Sequence, residues 1–486
     1  MKRYISILLV TVAASALASC SSWFDVSPKT DVKAELLFNS ESGFESALTG
    51  LYVKMTENNS YGKAFTMEFM SRLEQRYDNI SDANKTAIYT YNESNSAGAK
   101  SKQAAMWMAS YNIIANANNM LKWMDIKGEE VLPEVSTRNR MRGEALAVRA
   151  MVHFDLLRCW GPMYRSDSTA KSIPYRLVID SSRQPYLPAN EVVDYIIADL
   201  KQAEELLAYQ EDTPLSGILH QNMRYRFSLH SVRALMARVL NYRNDKDGAY
   251  RYAKMAIDGS ELELANDQTL FNDPALFCET LFGLSYYDMS NLMPEWTETA
   301  PESAHSYILR DNLRQTYDLN ENDARYRNNL GFIHFNDMTP PRAISRKYVR
   351  NQNLVPLIRL AEMYYILCES APLETAHEAI NMVYEARGLN TTTQFSSEAA
   401  RIDALDSEYL KEFYAEGQYF PFLKLHERTK FLNCPASITM TKNEYVFPLP
   451  DGEIEYGWGS ADSGSDDDSQ EDDDNEDEGG SDADAE

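Results

Sequence analysis

The chain has 486 residues, of which 44% are hydrophobic and 25% are charged, and its formal net charge is −26. This length and composition allow a large buried core, so we expect a folded protein. The acidic balance argues against nucleic acid as a partner, because binding phosphates requires clustered lysine and arginine.

The first 20 residues have the pattern of a bacterial lipoprotein export signal. Lys2 and Arg3 precede an apolar run over 5–17, which is followed by small residues and Cys20. We predict that 1–19 are removed and that Cys20 is lipidated, so that its acyl chains hold the protein at a membrane. The run is too short for a spanning helix, which needs roughly 20 residues. An ordinary secretory signal is the alternative.

A leader over 20–41 follows, and it contains Pro28 within a polar stretch. We expect this leader to be extended and to link the lipid to the folded part. Apolar residues at helical spacing then predict a helix beginning at Ser42. Over 57–98 the spacing is lost, and we expect a long loop region with little regular structure.

The following segments predict paired helices. Apolar stripes at helical spacing run over 106–121, 141–156, 192–206, 229–257 and 357–383. Asn244 and Asp245 predict the turn of one hairpin, and small residues nearby have the spacing of a tetratricopeptide pair. We therefore predict a mostly α fold: a tetratricopeptide-like helical-pair scaffold with long irregular loop regions packed on it.

Two stretches interrupt or follow this pattern. The stretch over about 260–352 is irregular but rich in aromatic residues, so we expect an ordered insert within one large helical domain over 42–459. The tail over 460–486 holds 14 acidic and no basic residues. We expect this tail to be disordered, as a solvated spacer or as a weak collector of cations or peptides.

The cysteines after Cys20 are far apart and have no metal-like spacing. Cys159 and Cys368 lie in apolar helical patterns and are predicted to be small core residues. The sequence leaves open whether any two of Cys159, Cys278, Cys368 and Cys434 form a disulfide.

Five motifs in order resemble those of the SusD/RagB family of outer-membrane lipoproteins, over a region from Cys20 to about Gly457. They are Asp25 to Pro28 with Phe38, Gly43, Ala47, Gly50 and Tyr52; W-x3-Y-x2-I-x2-AN-x2-L from Trp107 to Leu121; G-E-A-x3-R-A from Gly143, ending at Trp160-Gly161; I-R-L-A-E-x-Y from Ile358 to Tyr364, continued at Arg387-Gly388-Leu389; and Phe447-Pro448-Leu449-Pro450 with Glu453-Ile454.

One further family motif, E-R-x2-E-x3-E-G-x-R-x2-D, is altered in this chain. Four residues match the family pattern: Glu408, Glu412, Glu416 and Gly417. However, Tyr409, Tyr419 and Phe422 stand where the family has Arg, Arg and Asp. We therefore expect aromatic packing in place of a charged network, because apolar contacts can replace a buried ion pair at little cost.

The resemblance implies a noncatalytic lipoprotein that captures a nutrient outside the cell and passes it to a SusC-like TonB-dependent outer-membrane barrel. Its ligand would be an oligosaccharide or polysaccharide, or, as in RagB-like members, a peptide, which an acidic body would attract if cationic. A structural or adhesive surface lipoprotein is a further alternative. No cofactor is implied.

The resemblance also indicates where ligand contacts would lie. The family often has an aromatic platform, an amide and further aromatic residues near six positions of this chain: Tyr89, Tyr91, Asn92, Tyr286, Tyr287 and Trp296. Stacking on a sugar or a peptide side chain needs exposed rings on ordered loops. Each aromatic residue could instead pack within its loop.

No catalytic or metal-binding motif is present, since HExxH, GxSxG and P-loop patterns are missing. Glu362 and Glu369 share a helix face, as a glycosidase pair would, but Arg359 one turn earlier predicts a structural ion pair with Glu362. His153 and His230 are predicted to be helix residues with satisfied hydrogen bonds. We therefore expect neither enzymatic activity nor a metal.

Overall fold

The computed structural model describes residues 34–78, 83–92, 96–180, 182–216, 218–297, 307–349, 353–390 and 392–456. The predicted export signal, its lipidation site Cys20 and the acidic tail over 460–486 lie outside the described residues. Cleavage, lipidation and disorder of the tail therefore stay predictions.

Most of the described elements are helices, which confirms the mostly α prediction. The helices are α1 Glu41–Met55, α2 Phe69–Leu73, α3 Ala83–Tyr89, α4 Ala97–Val131, α5 Val135–Trp160, α6 Ala189–Leu207, α7 Leu229–Arg243, α8 Lys246–Ser260, α9 Asp267–Asn272, α10 Met289–Leu292, α11 Pro294–Thr297, α12 Arg310–Thr316, α13 Leu360–Ser370, α14 Leu373–Ala386, α15 Glu398–Glu412, α16 Tyr419–Leu425, α17 Lys442–Tyr445 and α18 Asp451–Tyr456. The strands are β1 Thr280–Ser285, β2 Tyr307–Leu309, β3 Phe332–Phe335, β4 Arg342–Ser345 and β5 Leu354–Arg359. Within the described ranges, no helix is both long and apolar enough to cross a membrane.

The long helices pack on one another in chain order. α4 packs on α5, α5 on α6, α6 on α7 and α7 on α8. α8 then packs on α13 and α13 on α14, so the segment between α8 and α13 lies outside this series. Packing of each helix on its neighbours in sequence is the arrangement of a helical repeat scaffold.

The turn between α7 and α8 is set by Asn244 and Asp245. Asn244 ends α7 in the left-handed conformation, with φ of 67°, which asparagine adopts more readily than most residues. Asp245 caps α8, because its Oδ1 accepts a hydrogen bond from Gly248 N at 2.9 Å. The predicted hairpin turn is confirmed.

The second predicted hairpin begins later than its apolar pattern indicated. Residues 354–359 form β5, which pairs antiparallel with β1, and α13 begins at Leu360. The helical prediction for Leu357 is therefore wrong. Every residue of β5 is buried, and periodicity does not distinguish a short, fully buried strand from a helix.

Both irregular regions contain more regular structure than the sequence predicted. The region over 57–98 holds the short helices α2 and α3 and the start of α4. The described part of the insert over 260–352 holds β1 and an antiparallel sheet with strand order β2-β4-β3. The short helix α9 precedes β1, and α10 to α12 lie between the strands.

An apolar core joins the scaffold to these regions. Trp160, at the end of α5, lies with its ring centroid 5.2 Å from those of Trp107 on α4 and Phe447. Phe447 also meets Phe69 of α2 at 5.6 Å, and Trp160 Nε1 donates a hydrogen bond to Pro448 O at 2.9 Å. The closing Phe447-Pro448 segment is thus held on the scaffold by buried aromatic contacts.

The four described cysteines are free thiols, so none of them forms a disulfide. Cys159 and Cys368 are buried, as predicted, and burial raises the pKa of each thiol to about 12. A thiol with so high a pKa stays protonated and unreactive near neutral pH.

Candidate ligand-binding site

The two regions from which ligand contacts were expected meet around Tyr77 and Asp78. The ring centroids of Tyr77 and Trp296 lie 5.5 Å apart, and Asp78 Oδ2 accepts a hydrogen bond from Arg342 Nη1 at 2.6 Å. Burial, together with the nearby Asp78 carboxylate, raises the pKa of Tyr89. We call the surface formed by residues 75–78, 83–92 and 286–297 the loop face.

Gln75 holds the first part of the loop face in place. Its Nε2 donates to Tyr89 O at 2.9 Å and to the Tyr91 hydroxyl at 3.3 Å. The Tyr91 hydroxyl in turn donates to the backbone carbonyl of Leu73, and its ring packs against the core. Tyr89 and Tyr91 are both half-buried and Asn92 is exposed, so all three present some side-chain surface to solvent, while the hydroxyl of Tyr91 is held by its bond to Leu73 O.

The second part of the loop face has one strongly exposed aromatic ring. The side chain of Tyr287 is 84% exposed, whereas Trp296 is 2% exposed and Tyr286 is buried. A ring as buried as that of Trp296 cannot stack on a ligand in this conformation. The expectation that Tyr286 and Trp296 offer exposed rings is therefore corrected, because both pack into the fold.

Strand alternation explains why Tyr286 and Tyr287 differ. They follow directly after β1, and Tyr286 N still donates to Asn353 O at 2.7 Å, as in a continuing strand pair. Successive side chains of a strand point to opposite sides, so Ser285 and Tyr287 are exposed and Tyr286 between them is buried.

A buried network of charged side chains lies next to the loop face. Arg359 Nη1 donates to Glu279 at 2.5 Å and to Glu412 at 2.8 Å, while its Nε donates to Glu416 at 2.8 Å. Arg387 Nη2 donates to the same Glu279 and Glu412, at 2.9 Å and 2.6 Å. These five side chains are all buried.

The network extends further through the insert. Arg325 Nη1 donates to Glu408 at 2.8 Å and to Glu412 at 3.0 Å, and Lys347 Nζ donates to Glu416. The expected loss of a charged network is therefore wrong. The glutamates of the altered family motif keep cationic partners, which other parts of the chain supply.

The aromatic residues of the altered motif pack beside this network instead of replacing it. Tyr409 and Phe422 stack with ring centroids 4.3 Å apart. The hydroxyl of Tyr419 donates to Asp406 Oδ1 at 2.6 Å. Sequence reasoning missed the network because the relevant arginines lie outside this motif, although Arg359 and Arg387 stand in another family motif and its continuation.

The electrostatics of Glu412 show that the network holds ionised groups. Burial alone would raise the pKa of this carboxyl, but the guanidinium groups of Arg387, Arg359 and Arg325 outweigh burial and hold its pKa well below the usual range. Buried carboxylates are stable in this form only with such close cationic partners and hydrogen bonds.

The network fastens the insert to the helical scaffold. Glu279 directly precedes β1 and Arg359 ends β5, whereas Glu412 ends α15 and Arg387 follows α14. Two residues after Glu412, Tyr414 packs its ring on Tyr77 with a centroid distance of 5.9 Å. The network therefore fixes the position of the strands from which the loop face projects.

Glu362 and Glu369, which the sequence places on one helix face, lie in separate buried ion pairs. Glu362 accepts from Arg238 at 2.5 Å and 2.6 Å, not from Arg359 as expected. Glu369 accepts from Arg165 at 2.7 Å and lies 3.3 Å from His426 Nε2. Burial opposes ionisation of Glu369, but His426 and Arg165 hold its pKa well below the usual range.

His153 is a satisfied helix residue, as predicted, whereas Nδ1 of His230 is buried and has no hydrogen-bond partner among the described residues. Nδ1 of His153 donates to Arg149 O at 2.9 Å, because its Nε2 accepts a hydrogen bond from Arg176 N at 3.1 Å. Nε2 of His230 donates to Thr213 O at 3.0 Å. Among the residues that the structure describes, no three His, Cys, Asp or Glu side chains are grouped so as to hold a metal ion.

Comparison with known proteins agrees with the fold and the motifs. The SusD-like family model described as "Starch-binding associating with outer membrane" matches residues 22–240. This match, together with the relatives and the shared fold, supports a SusD-family protein. SusD-like protein P38 of Formosa agariphila is 24% identical over 281 residues, which are 56% of this chain and 50% of P38. A SusD-like protein of Bacteroides ovatus is 24% identical over 219 residues, 44% of this chain and 37% of the relative. The chain thus matches about half or less of the length of these curated relatives.

Solved SusD structures share the fold over most of the chain. A SusD-like carbohydrate binding protein from Bacteroides vulgatus superposes with a TM-score of 0.69 at 17% identity, over 86% of this chain and 96% of that one. A SusD superfamily protein from Bacteroides thetaiotaomicron gives 0.66 at 18% identity, over 86% and 98%. At such identities the comparison establishes the fold alone.

The SusD-type motif residues of this chain have structural partners. Glu144 of the G-E-A motif accepts a hydrogen bond from the Tyr52 hydroxyl on α1 at 2.7 Å. Arg149 of the same helix donates to Asn118 on α4 at 2.8 Å and to Asp199 on α6 at 2.7 Å. These motifs therefore position helices, while the candidate ligand contacts lie on the loop face.

Proposed function

We propose that this SusD-family protein is a noncatalytic outer-membrane lipoprotein that binds an oligosaccharide or polysaccharide outside the cell and delivers it to a SusC-like TonB-dependent transporter. The match of residues 22–240 to a family described as starch-binding and outer-membrane-associated carries the proposal. The same fold in a solved SusD-like carbohydrate binding protein supports it.

The loop face has the groups that sugar binding requires. Tyr287 offers an exposed ring, Tyr89 a half-buried ring and Asn92 an exposed amide. Aromatic rings bind the C–H faces of sugars, and amides bind their hydroxyls. The Asp78–Arg342 pair and the buried charged network hold these groups on ordered backbone, which reduces the entropy that binding costs.

The state of the buried carboxylates supports binding without turnover. A glycosidase requires one protonated and one ionised carboxyl group on either side of the scissile bond. Glu362 and Glu369 instead each accept hydrogen bonds from an arginine in a buried ion pair. Neither carboxylate is placed to protonate a leaving group.

Attachment through Cys20 would keep the protein at the cell surface beside its transporter. The acyl groups of a lipoprotein give stable anchoring, at about 0.8 kcal/mol for each buried CH2 group. Mass spectrometry of the N-terminus of the protein from its native membrane should find Cys20 carrying acyl groups. An unmodified Cys20, or cleavage elsewhere, would contradict the anchor.

Ligand class is tested with a soluble form that begins at residue 20 and carries Cys20→Ser. Starch-derived oligosaccharides, other glycans and cationic peptides are arrayed, and bound sugars are afterwards analysed for cleavage. We expect retention of at least one glycan class with no shortened products. If only peptides are retained, the proposed ligand class changes from carbohydrate to peptide. Shortened sugar products would contradict the noncatalytic role.

Delivery to a transporter is tested separately by mild solubilisation of the native outer membrane. The lipidated protein should co-purify with a TonB-dependent barrel, and the Cys20→Ser form, which lacks the lipid, serves as the control for attachment. Recovery of the lipidated protein without any barrel would contradict delivery and would leave the binding result unaffected.

A further inference from the structure

The helical scaffold carries a second concave site, whose lining residues are different from those of the loop face. A cleft of about 380 Å³ lies between α4, residues 174–180 with 182–184, and α18. Its walls include Met108, Ile179 and Glu453. A neighbouring hollow of about 660 Å³ shares Met108 and Glu453 and continues along α4 towards Ala97. We call these two connected spaces the α4 groove.

One wall of the α4 groove is pinned to the scaffold by polar contacts. The Tyr111 hydroxyl donates to Pro174 O at 2.9 Å, and Asn118 Nδ2 donates to Arg176 O at 2.9 Å. Arg176 N donates to His153 Nε2 at 3.1 Å. These bonds use buried or partly buried groups of α4 and α5, so the position of this wall is fixed before any ligand arrives.

The next residues of this wall offer unused binding groups. Leu177, Val178 and Ile179 are exposed aliphatic residues. Within the part of the chain that the structure describes, the backbone N–H groups of these three residues have no hydrogen-bond partner. Aliphatic side chains next to available backbone groups suit a ligand that has both apolar side chains and amides.

The α4 groove lacks the feature that sugar stacking requires. Two aromatic residues line it: Trp107 is buried in the core, and Tyr111 is half-buried, with its ring packed against the core 4.9 Å from that of Trp107. The exposed apolar part of its surface is aliphatic, from Met108, Val178 and Ile179. Aliphatic surface packs against aliphatic side chains and gains little from the polar edge of a sugar.

The charges at the α4 groove are balanced. Arg176 is paired with Asp180 at 3.1 Å. Arg183 is exposed and has no ion-pair partner among the described residues. Among the same residues, the carboxylate of Glu453 on α18 accepts one hydrogen bond, from the Tyr186 hydroxyl at 3.1 Å. A ligand with one acidic and one basic group pairs with both by charge, whereas a polyanion is repelled by Glu453 and the hydroxyls of a neutral glycan offer hydrogen bonds only.

We propose that the α4 groove binds a short peptide segment of another polypeptide. An aliphatic side chain of that segment packs against Met108, Val178 and Ile179, and an acidic and a basic side chain meet Arg183 and Glu453. The site would give this protein a protein-binding surface that is independent of its carbohydrate ligand, so the proposal does not rest on the proposed function.

The test uses the soluble chain from residue 20 with Cys20→Ser and a fluorescent probe peptide, acetyl-Gly-Asp-Leu-Val-Leu-Lys-Gly-amide. We expect saturable binding, and a peptide with serine at its three aliphatic positions should bind at least ten-fold more weakly. Val178→Asp should weaken binding at least ten-fold. The matched control is Val135→Asp, because Val178 and Val135 are 55% and 57% exposed and Val135 does not line the groove. It should change binding less than two-fold.

Each other outcome contradicts the proposal. No saturable binding, equal binding of the serine peptide, or equal effects of the two valine changes would reject a peptide site. Displacement of the peptide by maltoheptaose would assign the groove to sugar. Slow hydrogen exchange at 177–179 without peptide would show that these backbone groups are already protected and not available to a ligand. Tyr287→Ala, which alters the loop face, should leave peptide binding unchanged. A failure of the peptide proposal can therefore be distinguished from a failure of the proposed carbohydrate binding.

Discussion

Arg359 Nη1 and Glu412 Oε1 lie 2.8 Å apart in a site that solvent does not reach, although the two residues are 53 positions apart in the chain. Arg359 ends β5 and Glu412 ends α15, so their ion pair joins the sheet that carries the loop face to the helical scaffold. Removing one partner of such a pair leaves a buried, uncompensated charge.

Glu412→Gln should therefore destabilise the protein strongly. The substitution keeps the shape of the side chain but leaves Arg359 and Arg387 without this carboxylate, and we expect a loss of about 3–5 kcal/mol in the free energy of unfolding. Urea titration measures the loss. The control is Asp258→Asn, which breaks the exposed pair with Lys254 and should cost less than about 0.5 kcal/mol. Equal costs for both variants would contradict the structural role of the network.

The stabilisation from Glu412 should be lost in acid. Its pKa is held well below the ordinary value of 4.5 in the folded state, so the unfolded chain takes up the proton first as the pH falls. The difference in the free energy of unfolding between the parent and Glu412→Gln should be full above about pH 5 and should shrink as the pH falls below the ordinary value of 4.5. Urea titrations from pH 3 to 7 measure this gap. A gap that stays constant or grows in acid would contradict the assignment.

His153 should remain neutral well into the acid range. Burial lowers its pKa to about 3, whereas an unfolded histidine titrates near about 6.5. The unfolded state therefore binds protons first, and this histidine makes the protein less stable as the pH falls below about 6.5. NMR titration of the imidazole should show the Nδ1–H tautomer with no protonation above pH 4. A midpoint near 6.5 would contradict the buried hydrogen bonds to Arg149 and Arg176.

Gly417 should not tolerate a side chain. Its φ is 69°, and a Cβ there would lie 2.1 Å from Phe65 O, a backbone atom that cannot simply turn away. Gly417→Ala should cost at least about 2 kcal/mol in thermal or urea unfolding. Gly50→Ala is the control, because nothing lies within 4 Å of its added Cβ and alanine favours the α1 helix by about 0.5–1 kcal/mol. An unchanged free energy of unfolding in Gly417→Ala would contradict this expectation and show that the turn can shift.

The helical scaffold was predictable because its signal is local. Apolar residues at a spacing of three and four positions mark α4 to α8, and the Asn244-Asp245 turn has its own conformational preference. The start of α13 was not predictable in this way, since β5 is buried on both sides and its pattern fits a helix equally well.

The site was harder to predict because its order depends on contacts distant in sequence. Nothing local distinguishes the exposed Tyr287 from the buried Trp296, whose burial follows from contact with Tyr77. The charged network likewise depends on which arginines fold next to Glu412, and the three aromatic replacements in the family motif suggested its loss. The family motifs thus predicted which helices the chain forms, whereas the ion-pair partners of the glutamates could be identified only from the three-dimensional structure.

Carbohydrate binding at the loop face is tested most directly by titrating the glycan selected on the array into Tyr287→Ala and Tyr250→Ala. Tyr250 is 40% exposed on α8 of the scaffold and is the matched tyrosine control. Loss of the Tyr287 ring should weaken binding by about 1 kcal/mol, roughly five-fold, while Tyr250→Ala keeps the parent affinity. Unchanged affinity in Tyr287→Ala, or an equal loss in both variants, would contradict a binding site on the loop face.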